Sequence, residues 1–338
     1  MKRIIVDVMG GDKAPLETVK GLGIAMQELG DEAEFIVIGD QAQIENIAKE
    51  HNIDLGKVKI VHTETYITME DDPMAVMRAK NDSSMSIGLR MLKDGEGDAF
   101  VTTGNTGAVF TGANLIVRKL KGVRRPALAA LVPLQNPVLV VDTGANVVAE
   151  PSYLEHFAIM GSAYMKHVMG IESPRVGLLN NGAEECKGTE LQIETYKRLS
   201  VNKHINFVGN IEGHTASKDE CDVLVADGFS GNIFVKTVEG LGKMMLKTLK
   251  NVFYKNTRTK ISALMIKGEI NGIKKAFDPA ECGGAPILGI RKPVIKSHGS
   301  SDAKTFKNAI KQAVAYSNAS IEPLIEEAIA SLKEGDEE

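Results

Sequence analysis

Short apolar runs alternate with amphipathic stretches along most of this chain. Ile4–Val8, Phe35–Ile38, Val58–His62 and Ala99–Thr102 are β-branched or aromatic enough to read as strands. Between them, helical spacing of apolar residues predicts helices from Ala14-Pro15 to about Leu29, over Gln41–His51, from Asp72-Pro73 to Lys80, and over Ser83–Lys93. Pro15 and Pro73 suit first helical turns. Farther on, Ala127–Val132 and Val138–Val141 read as a strand pair split by Pro133 and Pro137. Val176–Leu179, Ile205–Val208, Val223–Ala226 and Val294–Lys296 read as further strands. Helices are expected over Glu150–Met169, up to about Ser200, up to about Asn318 and over Ile321–Leu332. This alternation predicts an α/β fold of mostly parallel strands joined by crossover helices.

Five of these strands end in polar glycine loops: MGGD at 9–12, TTGNTG at 102–107, DTGAN at 142–146, DGFSGN at 227–232 and HGSSD at 298–302. A strand that turns through small polar residues into a helix aims N–H groups and hydroxyls at one point, which suits an anion. Gly and Asn also serve any tight turn. Repetition at five strand ends favours a ligand site, because open α/β sheets bind ligands beyond the carboxyl ends of their strands. All five loops are expected on one edge, lining one cleft. The phosphate-binding candidates are Gly10, Gly11, Asp12, Gly104, Asn105, Thr106, Gly107, Asn146, Asp227, Gly228, Asn232 and Ser301.

Several familiar motifs are missing. MGGDKA lacks the G-x-G-x-x-G spacing, and no G-x-x-x-x-G-K-[ST] occurs; GAEECKGT at 182–189 lacks the glycine before its lysine. Neither metal-type His/Cys spacing nor a G-x-S-x-G elbow is present. A small oxyanion held without cofactor or metal fits what remains. His298, Ser300, Asp302 and Lys187 are the candidates for the chemistry, with Lys296 adding charge. His298 titrates near neutrality, whereas Ser300 and Ser301 can equally be helix caps. Asp302 can favour a helix dipole, and Asp142 and Asp227 can be Asx-turn residues. Lys187 can pair with Glu184 and Glu185 or touch phosphate. His156 and His167 read as structural.

The 338 residues, 43% hydrophobic, suffice for one large domain or two intimate lobes. A net charge of −4 argues against a nucleic-acid binder. Three scattered cysteines, Cys186, Cys221 and Cys282, suggest a reducing cytoplasm. No signal-peptide core and no membrane-spanning run is visible in the sequence.

One segment departs from this pattern. Lys236–Lys275 carries ten Lys/Arg against two Glu, a net of +8 that leaves −12 for the remainder. Val238, Leu241, Met245, Leu249 and Val252 recur at helical spacing, and Ile266, Ile270, Ile273 and Phe277 restart the pattern. A basic amphipathic hairpin over 236–278 is expected, with a tip around Tyr254–Met265 that includes Ile261, Leu264, Met265 and Ile266. It can be a solvated packing pair, a contact with an anionic membrane, a dock for an acidic protein or a homodimer interface.

VDVMGGDKAP, TTGNTGA, DTGAN, MGSAY, SPRVGLLN, DGFSGN, CGGAPILG and PVIKSHGSSDA, in that order, resemble the PlsX family, acyl-acyl-carrier-protein:phosphate acyltransferases of bacterial phospholipid synthesis. The resemblance runs from Ile4 to about Asn318. It implies a fold like isocitrate and isopropylmalate dehydrogenases and phosphotransacetylases, an αβα sandwich with the hairpin protruding. It implies a homodimer, cytoplasmic and peripherally membrane-associated. Acyl carrier protein and inorganic phosphate would be its substrates, acyl phosphate its product, and the next acyltransferase of the pathway a transient partner. Two other readings stand beside it: a dehydrogenase of similar fold, and a membrane-associated scaffold on an inactive enzyme fold.

Overall fold

The computed structural model describes residues 1–134, 136–266, 268, 272 and 283–335. Among them are eleven strands: β1 (Lys2–Asp7), β2 (Ala33–Gly39), β3 (Val58–His62), β4 (Ala99–Thr102), β5 (Ala127–Val132), β6 (Val138–Val141), β7 (Arg175–Asn180), β8 (Asn206–Glu212), β9 (Val223–Val225), β10 (Ala285–Leu288) and β11 (Val294–Lys296). The helices are α1 (Leu16–Leu29), α2 (Gln41–Glu50), α3 (Ser84–Lys93), α4 (Thr106–Gly112), α5 (Pro151–His167), α6 (Glu190–Val201), α7 (Gly228–Phe253), α8 (Thr257–Met265), α9 (Ala303–Ala319) and α10 (Glu322–Gly335). The segment expected as a helix from Pro73 to Lys80 is instead a 3₁₀ turn, Pro73–Met77, because Arg78 leaves helical geometry.

The strands form one sheet ordered β3-β2-β1-β4-β11-β10-β5-β6-β9-β7-β8. Its first five strands are mutually parallel, and so are its last four. Between the blocks, β10 pairs antiparallel with β11 and β5, and β5 antiparallel with β6. Three reversals therefore leave the two parallel blocks running in opposite directions. Residues 133–137 and 289–293 are too few for a crossover, so β5–β6 and β10–β11 can only be antiparallel neighbours; the antiparallel pairing of β10 with β5 supplies the third reversal. The right-handed twist of a sheet, about 20–25° per strand step, then swings the two blocks well away from simple opposition.

Helices cover both faces. On β4, Ala99 and Val101 face the layer that holds α1, α5 and α9, whereas Phe100 faces α3 and α4. All four β4 residues are buried, and each large side chain so enclosed contributes about 1.5–3 kcal/mol. A third apolar cluster, with Val138, Val140 and Leu224, packs under Phe234, Val235 and Val238 of α7.

α7 revises the expected hairpin. It starts directly from the 227–232 loop, with Asp227 as its cap, and runs 26 residues without interruption. Only Gly228 and Gly231 of it are buried. The chain turns at 254–256, and α8 occupies the place assigned to the tip, capped by Asn256, which accepts from Thr259 N at 3.0 Å. The expected second helix through Ile270, Ile273 and Phe277 lies outside the described residues, as does Cys282. So do the side chains of Ile261 and Leu264. Leu241, Met244, Met245, Val252, Tyr254, Met265 and Ile266 are exposed.

Gly231 fixes where α7 begins. A Cβ there would sit 2.0 Å from the Asp142 carbonyl oxygen, a backbone atom held in the sheet-end loop. Gly231→Ala is expected to cost roughly 3 kcal/mol as an overpacked contact, read as a fall in the urea midpoint at unchanged slope.

Candidate active site

The five glycine loops do not share one edge. Three follow β1, β4 and β11 and close on one another at the carboxyl end of the first block. Asp7, buried at the end of β1, accepts from Thr102 Oγ1 at 2.7 Å and from Met9 N at 3.1 Å. Thr103 Oγ1 donates to the Gly10 carbonyl, and Asp12 N donates to the Gly299 carbonyl at 2.9 Å. Gly10 lies so close to Gly104 that a Cβ would meet its Cα at 2.7 Å. Asn105 caps α4 through Ala108 N and donates to the Met69 and Asp71 carbonyls at 3.0 and 3.1 Å, which ties the 68–72 loop to this group. Thr106 and Gly107 open α4 behind it.

Lys296 ends β11 inside this group and is only 8% exposed. Among the described residues its ammonium makes no hydrogen bond or ion pair. Burial lowers its pKa to about 8, against a partial opposing pull from Asp12. His298 follows two residues later. Its Nδ1 accepts from Ser300 N at 3.2 Å and lies 2.8 Å from Ser300 Oγ. An Nδ1 that accepts a backbone N–H leaves the neutral ring's proton on Nε2. Burial and then the positive charge of Lys296 depress the His298 pKa, which favours that neutral form. Ser301 is buried with its hydroxyl 2.9 Å from that of Ser297. Asp302 caps α9, accepting from Thr305 N at 2.9 Å and Oγ1 at 2.7 Å, and these bonds lower its pKa.

The second group lies at the carboxyl ends of β6, β7 and β9. Asp142, fully buried, accepts from Leu128 N, Ala145 N, and Asn146 N and Nδ2 at 2.6–3.2 Å. Burial pushes its carboxyl up while these donors pull it down. Both oxygens only accept, as in the ionised form. Asp227 accepts from Phe229 N and Ser230 N at 3.0 and 2.9 Å. The Asx-type expectation holds for Asp227, whose carboxylate accepts from the backbone two residues on; Asp142 instead accepts from Leu128 N, Ala145 N and Asn146. Gly228 N donates to the Asn146 carbonyl at 2.8 Å, and Asn232 Nδ2 donates to the Thr143 carbonyl at 2.8 Å. Lys187, in the loop after β7, is exposed and forms no ion pair with Glu184 or Glu185; Glu185 accepts from Tyr196 Oη instead.

α7 joins the two groups. It leaves the second at Gly228, and its Glu239 and Lys243 act electrostatically on His298 in the first. Those residues lie about 16 and 22 Å of helix beyond Gly228. α7 thus runs from the second loop group toward the first, where one shared edge was expected. Among the described residues Lys296 in the first group and Lys187 in the second form no ion pair; of the two, only Lys296 is buried.

Three residues matter more here than sequence reasoning made them. Asp7 and Asp142 each anchor a glycine loop from beneath; an aspartate inside an apolar run is the signal for the first. Lys296 had only its position at a strand end to mark it, since its burial depends on packing. His156 is structural as expected, with Nδ1 accepting from Arg124 N at 3.3 Å.

An αβα sheet with these loop-bearing ends is a protein of the phosphotransacetylase-like fold class. A solved phosphotransacetylase from Streptococcus pyogenes matches with TM-score 0.63 over 94% of this chain and 95% of its own, at 18% identity. A branched-chain phosphotransacylase from Enterococcus faecalis matches with TM-score 0.56 over 94% and 99%, at 13% identity. In sequence, the phosphate acyltransferase of Acetivibrio thermocellus is 46% identical over 92% of this chain and 91% of its own. That of Alkaliphilus oremlandii is 41% identical over 99% of both. The model of the fatty acid synthesis protein family matches residues 2–322. This chain belongs to that family, the acyltransferases of the PlsX type. No helix among the described residues is long and apolar enough to cross a membrane.

Proposed function

We propose that this enzyme moves a fatty acyl group from acyl carrier protein to inorganic phosphate, releasing acyl phosphate. The observation that carries the reading is Lys296: a nearly enclosed ammonium with no hydrogen bond or ion pair among the described residues, ringed by glycine loops, is a place built for an anion. A phosphate oxygen attacks the thioester carbonyl carbon. A C–O bond forms, the C–S bond breaks, and the proton of hydrogen phosphate passes to the departing sulfur. The nucleophile comes with the substrate, so no serine or cysteine nucleophile is required.

In this reading Gly11 and Ser300 present donors beside Lys296, while Gly10 and Gly104 spend their N–H groups on Asp7 and on Thr102 Oγ1 and shape the close-packed floor. Asp7, Asn105, Asp302 and Ser301 hold those loops in place. Asn232 and Lys187 serve the opposite wall of the cleft, over which Asp142, Asn146 and Asp227 fix the backbone. Holding phosphate against the carbonyl is worth up to roughly 7–11 kcal/mol. Each donor aimed at the tetrahedral oxyanion adds about 3–4 kcal/mol. His298 Nε2–H is the hydrogen-bond donor offered to the sulfur as its charge develops, while the proton itself comes from hydrogen phosphate.

The decisive assay incubates the enzyme with acyl carrier protein thioester and phosphate and traps acyl phosphate as its hydroxamate. Hydroxamate is expected only when enzyme, phosphate and thioester are all present, and activity is expected to survive EDTA. No hydroxamate, or inactivation by EDTA reversed by magnesium, would overturn the proposal.

The α7–α8 surface supports reversible contact with an anionic bilayer, beside the homodimer that the family resemblance implies. Lysines accompany exposed Met244, Met265 and Ile266. Each basic residue near such a surface contributes about 1 kcal/mol, and each buried apolar side chain about 1.5–3 kcal/mol. Salt-sensitive co-sedimentation with anionic vesicles is expected. Met265→Asp with Ile266→Asp should weaken it more than tenfold and leave acyl transfer in solution near the parent rate. Unchanged co-sedimentation would clear this surface of the role.

A further inference from the structure

A second basic surface is built from segments other than α7 and α8. The segment RKLKGVRR at 118–125 meets Arg291 across the fold. Lys119 bridges to Ile290, Arg291 N donates to the Arg118 carbonyl at 3.0 Å, and Arg291 Nε donates to the Lys119 carbonyl at 3.3 Å. Arg118, Lys119, Lys121, Arg124, Arg125 and Arg291 are all exposed there. The acidic groups among them are few. Glu150 lies 3.7 Å from Arg124, and Glu326 accepts from Lys121 N at 2.6 Å. In a chain with a net charge of −4, such a cluster is a local field of the opposite sign.

Three further observations point to a partner. Beside the cluster is a hollow of about 230 Å³ lined by Met77, Leu115 and Ile116 alongside Arg90, Lys93 and Arg118. Leu115 is 45% exposed. An apolar floor among cations fits an amphipathic helix with an acidic face. Next, Arg118 sits at φ +76°, a conformation that favours glycine, pinned through its N–H to the Ala113 carbonyl at 3.0 Å and through its carbonyl to Arg291. An arginine held in such strain is a functional candidate. Finally, the cluster abuts the second loop group: Asn146 Nδ2 donates at 2.9 Å to the carbonyl of Pro126, the residue after Arg125.

We propose that this surface docks the acyl donor, a carrier protein whose acidic helix lies over the 230 Å³ hollow and whose thioester arm reaches past Pro126 into the cleft. The inference rests on the acyl-transfer reading. It assigns the docking role to 118–125 and Arg291, and not to α7–α8.

The test uses Arg118→Glu with Lys121→Glu and Arg291→Glu in the full chain. Acyl transfer from acylated carrier protein is compared with transfer from acyl-pantetheine, which has no protein to dock. Carrier KM is expected to rise about tenfold or more, with loss of its salt dependence, while kcat/KM for acyl-pantetheine stays within about twofold. Arg118→Gly relieves the strained backbone, so it should keep or raise the thermal midpoint while still raising carrier KM. Direct titration of labelled carrier protein reads docking even if the parent makes no acyl phosphate, which separates failure of the docking site from failure of the acyl-transfer reading. Unchanged carrier affinity would overturn the proposal, as would equal losses with both donors. Loss of anionic-vesicle binding with intact carrier affinity would make the surface a membrane contact instead.

Discussion

Lys296→Met is expected to lower kcat/KM for phosphate by about 10²–10³-fold, the usual loss when one charge-stabilising donor is removed from an enclosed site. The substitution keeps the stem that packs at the end of β11, so the thermal midpoint should hold or rise. Burial disfavours the ammonium, and its pKa is lowered to about 8. Below that pH the charge that receives phosphate is present; as pH rises through it, the charge is lost. In the parent, kcat/KM for phosphate should therefore fall on the alkaline side near pH 8, and the limb should vanish in Lys296→Met. Lys296→Arg, which stays charged throughout, should lack the limb while retaining part of the rate. A Lys296→Met enzyme with an unaltered phosphate dependence would remove the observation on which the proposed function stands.

His298→Ala should reduce kcat by roughly 10²–10⁴-fold, with a smaller change in phosphate KM, if Nε2–H meets the departing sulfur. The geometry makes a sharper claim than the size of the loss. Ser300 N–H occupies Nδ1, so a side chain that offers only a donor should restore part of the rate. His298→Gln does so; His298→Leu does not. Burial and Lys296 keep the ring's pKa below its ordinary value, so its neutral form persists through neutrality. Protonation at Nδ1 on the acid side would break the Ser300 bond and loosen the loop. A His298→Leu variant as fast as His298→Gln would place the donor to the departing sulfur elsewhere.

Much of this was legible from residues alone. Most predicted strand runs end within a residue or two of the observed ones, because β-branched runs cut off by Gly, Asn and Asp leave the chain little choice; the run at 205–208 instead continues to Glu212 as β8. The loops emerged for the same reason. The mistaken single edge came from assuming that the strands carrying the five loops all run parallel. Ala285–Leu288, only four residues long and behind two glycines, carries no periodicity that marks a strand. Yet it is the strand whose antiparallel pairing on both sides begins to reverse the sheet. Pro133 and Pro137 held the other clue, since five residues suffice for a hairpin and not for a crossover. The depth of Lys296 was illegible because burial is a property of neighbours distant in sequence. The tip was misplaced because the apolar spacing of Ile261–Ile266 continues in helical phase whether the chain turns before it or after it.

The unbroken course of α7 ties two distant parts of the molecule to a common phase. One end is the loop that carries Asn232, and the other is the exposed lysine and methionine surface. A helix advances about 1.5 Å and turns about 100° per residue. Inserting one residue after Lys243 would leave every loop untouched yet point the whole outer surface a quarter-turn away. Inserting seven would restore its heading to within about 20° while moving it about 10 Å outward. Length changes in this helix are therefore tolerable only in steps that close on whole turns, much as a threaded shaft can be lengthened only by full revolutions if its head must face the same way.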